Sequence, residues 1–452
     1  MSILFYKRPD YITKPDGPLN KTECQRYVEK YKHLQGRTPP ELSFENVIEG
    51  RALPVRWPFR PCTLSDFMDY LVYVERNAEN LQFYLWLRDY TRRFEALKPE
   101  EQALSPVWNV EEGVAPDGLP VRSSRNPSVY EREIDFDGTR PGTRNGRGHE
   151  SNASVSDVAS FMSKSTQGPM TIKNMETISE DANSNVGLKW QGFSCQPFRA
   201  EITRVIAHYI APESPRELNL SHRDRGAVLH ALQHTTHPSA LASVKTLVEA
   251  VLKGQAHPNF VRWSVCNGNK PKVLFVRTMG TTMILLALIA MILLILSRAP
   301  RWWRITPCAL LWLGITNLVA SKKGMCMILT LNHQRDLKPW ELDADPASTF
   351  GIICKPMIEA AIEGALSTHD EKTKHWTLDS FGTTNEWDQE EWVNRYTKRP
   401  LLKRAFPGST WVQAEGIRQL QSKIVRESQL WGLALTIIIV TGFTAIPNGN
   451  FF

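Results

Sequence analysis

The amino-acid sequence predicts an all-α protein, in which a helical bundle carries a long disordered insert and precedes about three transmembrane helices. Apolar residues recur at helical spacing over 41–97 and 198–263. Ser, Asn, Gly, Thr and Pro dominate the interval 98–190, where apolar periodicity disappears, which is typical of disorder. Residues 279–296 contain no charged side chain, and a run of that length is the minimum for a membrane-spanning helix.

The first part of the bundle, residues 41–97, follows an irregular N-terminal leader, residues 1–40. Thr63 precedes a run of helical spacing, and Asp66 stands three positions later, which predicts a capping box. The next helix is apolar on nearly every side up to residue 90, in the stretch LQFYLWLRDY that begins at residue 81. A helix of that kind must be surrounded by other helices, so we expect it to be the central helix of the bundle.

The second part of the bundle is predicted at residues 191–268, where helical spacing returns after the insert 98–190. In an up-and-down bundle, alternate loops lie at the same end. The helix over 198–210 therefore returns the chain to the end where the central helix begins, and brings Asn219 next to Asn80.

Two membrane helices are predicted within 279–320 and a third at 430–446. The second apolar run, 305–320, is shorter than the ~20 residues that a span needs. A buried hairpin that does not cross the membrane therefore remains an alternative for it.

Basic residues gather before the first run, after the second and before the third, which by the positive-inside rule predicts a cytosolic N-terminal half and an outside C-terminus. The short loop between the first and second runs conflicts with this orientation, because it would lie outside the cytosol although it carries Arg298, Arg301 and Arg304. A hairpin that dips in from the cytosolic side would remove the conflict. The N-terminal residues contain no apolar core long enough for a signal peptide.

The segment 321–429 is predicted to be cytosolic and is rich in tryptophan, with no fold signature. It contains a basic cluster that can bind anionic lipid or form a solvated face, and the sequence favours neither. The cluster consists of Lys398, Arg399, Lys403 and Arg404.

The order of several motifs resembles the RGS domain, the fold of regulators of G-protein signalling. The quoted motifs are ELSFENVIEG, then FMDYLVYV, ERNAEN and LQFYLWLRDY, then AEITRVIAHYIAPESPRELNLS, and finally SALASVKTLVEAVLKGQAHPNFVRW. The resemblance covers 41–97 and 196–264. The whole layout is similar to fungal RGS proteins with C-terminal transmembrane helices.

The resemblance implies a membrane protein that binds the switch regions of GTP-bound Gα and accelerates GTP hydrolysis without a catalytic group of its own. Its partners would be a Gα subunit and the lipid bilayer, with neither nucleic acid nor a small-molecule substrate. By the same resemblance, the Gα-binding residues are Glu75, Glu79, Asn80, Asn219 and Asn259.

An alternative interpretation is a membrane scaffold or cell-polarity landmark that uses the bundle only for docking. The last contact loop of the family often carries an Asp-Ser pair, whereas this chain reads Gln255-Ala256-His257-Pro258-Asn259, which favours the alternative. The polar turn 75–80 also has a plain interpretation as a helix start, with Asn77 as cap and Glu79 at the positive end of the helix dipole.

The sequence predicts neither an enzyme nor a cofactor, because it contains no Walker loop, dinucleotide fingerprint, GxSxG or HExxH motif. His230, His234 and His237 have the spacing of metal ligands, but no Cys, Asp or Glu nearby completes a site. We therefore expect surface histidines and no metal.

Overall fold

The computed structural model describes the chain in several ranges. They are residues 25–26, 29, 38–49, 62–108, 172–189, 195–342, 376, 378–381, 385–387, 390–447 and 449.

The described residues are mostly helical, as predicted. The helices are α1 (Phe44–Glu49), α2 (Leu64–Tyr70), α3 (Ala78–Glu95), α4 (Pro99–Gln102), α5 (Ile172–Ser184), α6 (Arg199–Val205), α7 (His222–His234), α8 (Ala242–Val251), α9 (His257–Val265), α10 (Lys270–Leu296), α11 (Cys308–Lys322), α12 (Met327–Leu331), α13 (Glu391–Lys398), α14 (Leu401–Ala405) and α15 (Glu415–Ala445). Wide helical turns extend α2 over Leu71–Glu75, α6 over Ile206–Ile210 and α8 over Leu252–Ala256. Single 3-10 turns occur at Pro40–Leu42, Pro238–Leu241, Arg301–Ile305, Pro339–Glu341 and Leu378–Phe381.

The chain divides into two compact units, each formed from separate stretches of sequence. The first unit contains 1–97, 215–221 and 241–452, and the second contains 98–214 and 222–240. The loop that carries Asn219 therefore belongs to the unit that contains α3.

In the first unit, α3 is buried along most of its length. Leu81, Phe83, Trp86 and Tyr90 are all fully buried. The all-round apolar pattern of this helix is thus explained by its position in the core, as predicted. The predicted capping box of α2 is also present, since the Asp66 backbone N–H donates to Thr63 Oγ1 at 3.1 Å and the Thr63 N–H donates to Asp66 Oδ2 at 3.0 Å.

The second unit includes helix α5, which lies inside the interval predicted to be a disordered insert. For Ile172–Ser184 that prediction is wrong. Met175, Ser179 and Ala182 are buried on one face, and Ser179 Oγ donates to Thr203 O of α6 at 2.9 Å. A buried face that contains Ser and Ala differs little in hydrophobicity from the exposed face, so the sequence shows no clear helical periodicity here. Residues 109–171 and 190 of the predicted insert lie outside the described residues.

Three helices of the first unit are long and apolar enough to cross a membrane: Lys270–Leu296, Arg301–Lys322 and Glu415–Ala445. Helices α10 and α11 approach closely at two glycines, since a Cβ at Gly314 would lie 3.0 Å from Gly280 O. Small residues at such crossings allow membrane helices to pack backbone to backbone.

Arg304, one of the three arginines that oppose the predicted orientation, is fully buried. Its Nη1 donates to Phe443 O at 2.9 Å and to Ile446 O at 2.6 Å. The guanidinium therefore satisfies free carbonyl groups at the C-terminus of α15, where the helix dipole favours a cation.

The segment 321–429 contains a two-stranded antiparallel sheet, the exception to all-α structure among the described residues. Strands β1 (Gln334–Asp336) and β2 (Ser409–Trp411) pair with Arg335 opposite Thr410. Asp336 joins this sheet to the start of α10, because it forms a buried ion pair with Lys272 at 2.5 Å and accepts the Asn269 N–H at 3.0 Å.

Candidate functional site

The candidate site is the turn between α2 and α3, residues 71–80. The wide turn Leu71–Glu75 ends at Arg76, which adopts a left-handed conformation with φ of 57°. The Asn77 N–H then returns to Leu71 O at 3.0 Å, and α3 begins at Ala78. A positive φ is uncommon for a residue other than glycine, so the left-handed backbone of Arg76 is a distinctive feature of this turn. It gathers Glu75, Glu79 and Asn80 at the N-terminus of α3.

Asn80 is buried within this turn, with 7% of its surface exposed. Its Nδ2 donates to Asn77 Oδ1 and, at 3.3 Å, to Glu79 Oε1. The amide expected to reach a Gα switch is thus used to hold the turn together. Asn77 contacts Asn80 instead of the helix backbone, so the predicted side-chain cap of α3 is absent.

Glu75 and Glu79 are half-buried acids with altered ionisation. Burial raises the pKa of Glu75 to about 7, although hydrogen bonds from Tyr70 and Gln255 oppose the rise. Burial likewise raises the pKa of Glu79 to about 7, its own backbone N–H opposes this, and the neighbouring charge of Glu75 adds to it. Desolvation outweighs the preference of a helix N-terminus for a negative charge. Both carboxyl groups therefore lose their protons less readily than exposed acids do.

The loop 215–221 presents Asn219 to solvent. Leu218 and Leu220 on either side are buried, at 1% and 8% exposure, while Asn219 is exposed. Arg216 anchors the loop, because its Nη2 donates to Phe381 O at 2.8 Å and the side chain is buried. Asn219 thus has the exposure expected of a contact residue.

The turn and the loop meet at one groove of about 260 Å³. Glu79 contributes from the start of α3, and Pro215 contributes from the start of the loop. The other lining residues are Leu71, Val72, Arg76, Ala78, Asn385, Glu386 and Trp387. The start of α3 and the start of the loop therefore lie around a common surface depression, although neither Asn80 nor Asn219 is among its lining residues.

Asn259 does not belong to a loop, and this part of the prediction is wrong. The wide turn Leu252–Ala256 runs straight into α9, whose first turn accommodates Pro258 because a backbone N–H is not needed there. Asn259 is 2% exposed and accepts a hydrogen bond from Arg262 Nη1 at 3.3 Å. The neighbouring His257 is also buried, and burial lowers its pKa to about 4.

Trp387 of the tryptophan-rich segment packs on the candidate turn. Trp387 Nε1 donates to Val72 O at 3.1 Å, and the Arg76 guanidinium lies 5.0 Å from the Trp387 ring centroid. Gln82 and Asn385 exchange two amide hydrogen bonds, at 2.8 and 3.2 Å. Sequence reasoning missed these residues. One signal was present in the sequence: Gln82 is a polar residue in an apolar helix, and such a buried side chain needs a hydrogen-bond partner elsewhere in the chain.

Tyr73 extends this contact through an aromatic cluster. Its ring stacks on Trp340 at 4.6 Å between centroids and meets Trp392 edge-on at 5.5 Å. Trp387 and Trp392 stack on each other at 5.4 Å. Such contacts contribute about 0.5–1.5 kcal/mol each beyond buried area. We call the side chains of Asn385, Glu386, Trp387 and Trp392 together with Trp340 the tryptophan cover.

Comparisons with protein-family models, curated proteins and solved structures found no match to this chain. The RGS resemblance therefore remains a hypothesis that rests on the order of the motifs in the sequence.

The three histidines with metal-like spacing lie in the second unit, and two of them pack against Trp108. His234 stacks on Trp108 at 5.7 Å between centroids, and His230 lies edge-on to it at the same distance. His237 Nδ1 instead bonds with Ser239 Oγ at 2.8 Å. Within the part of the chain that the structure describes, no group of three His, Cys, Asp or Glu residues could hold a metal ion.

Proposed function

We propose that this protein is a membrane-anchored regulator of heterotrimeric G-protein signalling, which binds the switch regions of GTP-bound Gα and accelerates GTP hydrolysis. The observation that supports this function is the groove shared by Glu79 and Pro215. The RGS resemblance requires the start of the aromatic-rich helix and the loop of Asn219 to lie together, although they are remote in sequence.

The proposed mechanism uses no catalytic group from this chain. Gα supplies its own arginine and water-positioning glutamine, and hydrolyses GTP at about 10⁻² per second. A partner that binds the switches best in their transition-state arrangement lowers the barrier, and each tenfold gain needs about 1.4 kcal/mol of differential binding. Asn219 is the exposed amide among the five proposed contact residues and is assigned the main polar contact.

Gα would have to contact or displace residues 385–387, because they line the same groove. Displacement would break the bond from Trp387 to Val72 and the amide pair of Gln82 with Asn385. It would also expose the acids of the turn to a partner. The described conformation is accordingly assigned to a closed form.

We propose that the anchor consists of three membrane crossings. Arg304 binds the last carbonyls of α15, while Lys323 at the other end of the second apolar helix pairs with Glu427 at 3.0 Å. The stretch from Glu427 to Ile446 measures about 28 Å at ~1.5 Å per helical residue. That length matches a hydrocarbon core of ~30 Å and favours a full crossing over a shallow hairpin.

A scaffold without effect on hydrolysis is the second candidate. It is favoured by the burial of Asn80 and Asn259, whose amides have partners within the chain. In that case the tryptophan cover would be a permanent part of the unit, and a different surface would bind partners.

Single-turnover GTP hydrolysis distinguishes the two candidates. Full-length protein in nanodiscs is added to saturation to each Gα of the source organism, as wild type, Asn219→Ala and Asn332→Ala. Asn332 is a matched control, since it is an exposed asparagine at the end of α12. Regulation of hydrolysis requires acceleration by wild type and by Asn332→Ala, with at least a tenfold loss in Asn219→Ala. Binding of Gα at an unchanged hydrolysis rate would establish the scaffold instead.

A further inference from the structure

The start of α10 is surrounded by short elements that expose large apolar side chains. Ile328 and Leu331 of α12 are 64% and 71% exposed, and Leu401 and Leu402 of α14 are each 74% exposed. Phe406, which follows α14, is 51% exposed. Soluble surfaces rarely expose so many large apolar residues together. We call α12, α14 and Phe406 the juxtamembrane collar.

The collar is fixed at a definite height along α10. Asn269 Nδ2 donates to Arg404 O at 2.7 Å, and the Phe406 ring meets Phe275 edge-on at 5.3 Å. On the other side, Asn267 Nδ2 donates to Cys326 O at 3.0 Å and to Thr330 Oγ1 at 2.8 Å. Both short helices are therefore tied to the residues just before the membrane-crossing part of α10.

That height corresponds to the boundary of a bilayer. Phe275 lies about 6 Å before residue 279, where the uncharged stretch begins, at ~1.5 Å per residue. Interfacial helices bury their apolar faces by about 5–10 Å into the boundary between headgroups and acyl chains. The exposed apolar surface also continues along α10, where Leu274 and Phe275 are 60% and 46% exposed.

Exposed basic side chains accompany the apolar ones. Lys398 ends α13 and Lys403 lies within α14, and both are exposed. Lys322 at the end of α11 is exposed as well. Arg404 of the same sequence cluster has a different role, because its guanidinium binds Thr397 O and lies 5.5 Å from the Tyr396 ring centroid. Apolar residues with flanking lysines have the chemistry that binds an anionic membrane surface.

We propose that the juxtamembrane collar lies in the headgroup region of an anionic leaflet, with Leu401, Leu402, Ile328 and Leu331 against acyl chains and Lys398 and Lys403 on lipid phosphates. The occupant of this apolar surface is thus the same bilayer that surrounds α10. Lipid binding is therefore favoured over a solvated face for the basic cluster, since a solvated face would leave the four aliphatic side chains in water. It does not depend on Gα.

Hydroxyl-radical footprinting of the full-length protein tests this placement. The protein is reconstituted in nanodiscs of phosphatidylcholine alone and of phosphatidylcholine with one third phosphatidylserine. We expect oxidation of Leu401, Leu402 and Phe406 to be at least threefold lower in the anionic discs. Leu104 and Val107 of the second unit are also exposed and serve as internal references.

Two charge-matched double variants complete the experiment. K398Q/K403Q should lose the difference between the two lipid compositions, whereas K189Q/K245Q, which removes two exposed lysines elsewhere, should keep it. Equal oxidation in both discs would overturn the proposal, as would a lipid effect that survives in K398Q/K403Q. Protection that appears only after a protein partner is added would also overturn it, in favour of a protein-docking surface.

Discussion

Gly432 of α15 offers a sharp test of how the second and third apolar helices pack. A Cβ placed there would overlap Thr316 Oγ1 and lie 3.3 Å from Trp312 Cδ1, both on α11. Thr316 cannot easily yield, because it is fully buried and its Oγ1 donates to Trp312 O at 2.7 Å. We expect Gly432→Ala to destabilise the protein by about 1–3 kcal/mol, the usual cost of overpacking.

The same geometry predicts that Thr316→Ala rescues Gly432→Ala. Removal of Oγ1 leaves the Thr316 Cβ at 3.4 Å from the new methyl group, which is an ordinary contact. Alone, Thr316→Ala should cost about 1 kcal/mol through its lost hydroxyl. Because the two positions are in contact, the two effects should not add. The double variant should be destabilised by about 1–3 kcal/mol less than the sum of the two single destabilisations.

Thermal unfolding of the full-length protein in a mild detergent measures this cycle, with Gly442→Ala as control. Gly442 lies on the same helix, and nothing approaches its Cβ position within 4 Å. The control should keep its melting temperature or raise it slightly, since alanine favours helix over glycine by up to about 1 kcal/mol. Additive effects of Gly432→Ala and Thr316→Ala would refute the packing of α11 on α15, and with it the argument for a second crossing.

Other substitutions test the first unit. Asp336→Ala leaves Lys272 buried without its partner, so we expect a loss of about 3–5 kcal/mol in the free energy of unfolding, measured by denaturant titration. Glu75→Gln should raise stability at pH 8 and leave it nearly unchanged at pH 4. The raised pKa of Glu75 means that the folded state resists ionisation, so wild-type stability falls as pH rises from 4.5 to about 7. Melting curves at both pH values check this, and an equal shift at pH 4 would contradict it. Asn80→Ala should destabilise the protein by about 1–3 kcal/mol, because it leaves the buried Asn77 Oδ1 without its donor. Asn219→Ala, at an exposed position, should leave the melting temperature within ~1 °C.

The candidate site was only partly predictable from the sequence. The sequence indicated a polar turn before α3, and the structure adds that Asn219 is exposed. The sequence did not reveal that Asn80 is buried and hydrogen-bonded to Asn77 and Glu79. The exposure of Asn80 depends on the path that the backbone takes at Arg76. The helical course through Asn259 was missed because the resemblance placed this residue in a contact loop, whereas the turn Leu252–Ala256 runs straight into α9.

The sequence by itself determined the features that depend on consecutive residues. The all-round apolar run of α3 requires a core, the uncharged runs require an apolar surrounding, and Thr63 with Asp66 specifies a helix start. Each is decided by periodicity, length or a local hydrogen bond. The tertiary structure decided which distant groups meet: Trp387 with Val72, Arg304 with the carbonyls of α15, and Lys272 with Asp336. Such pairings follow from the packing of many elements at once, because a buried polar group only requires some partner and does not state which one.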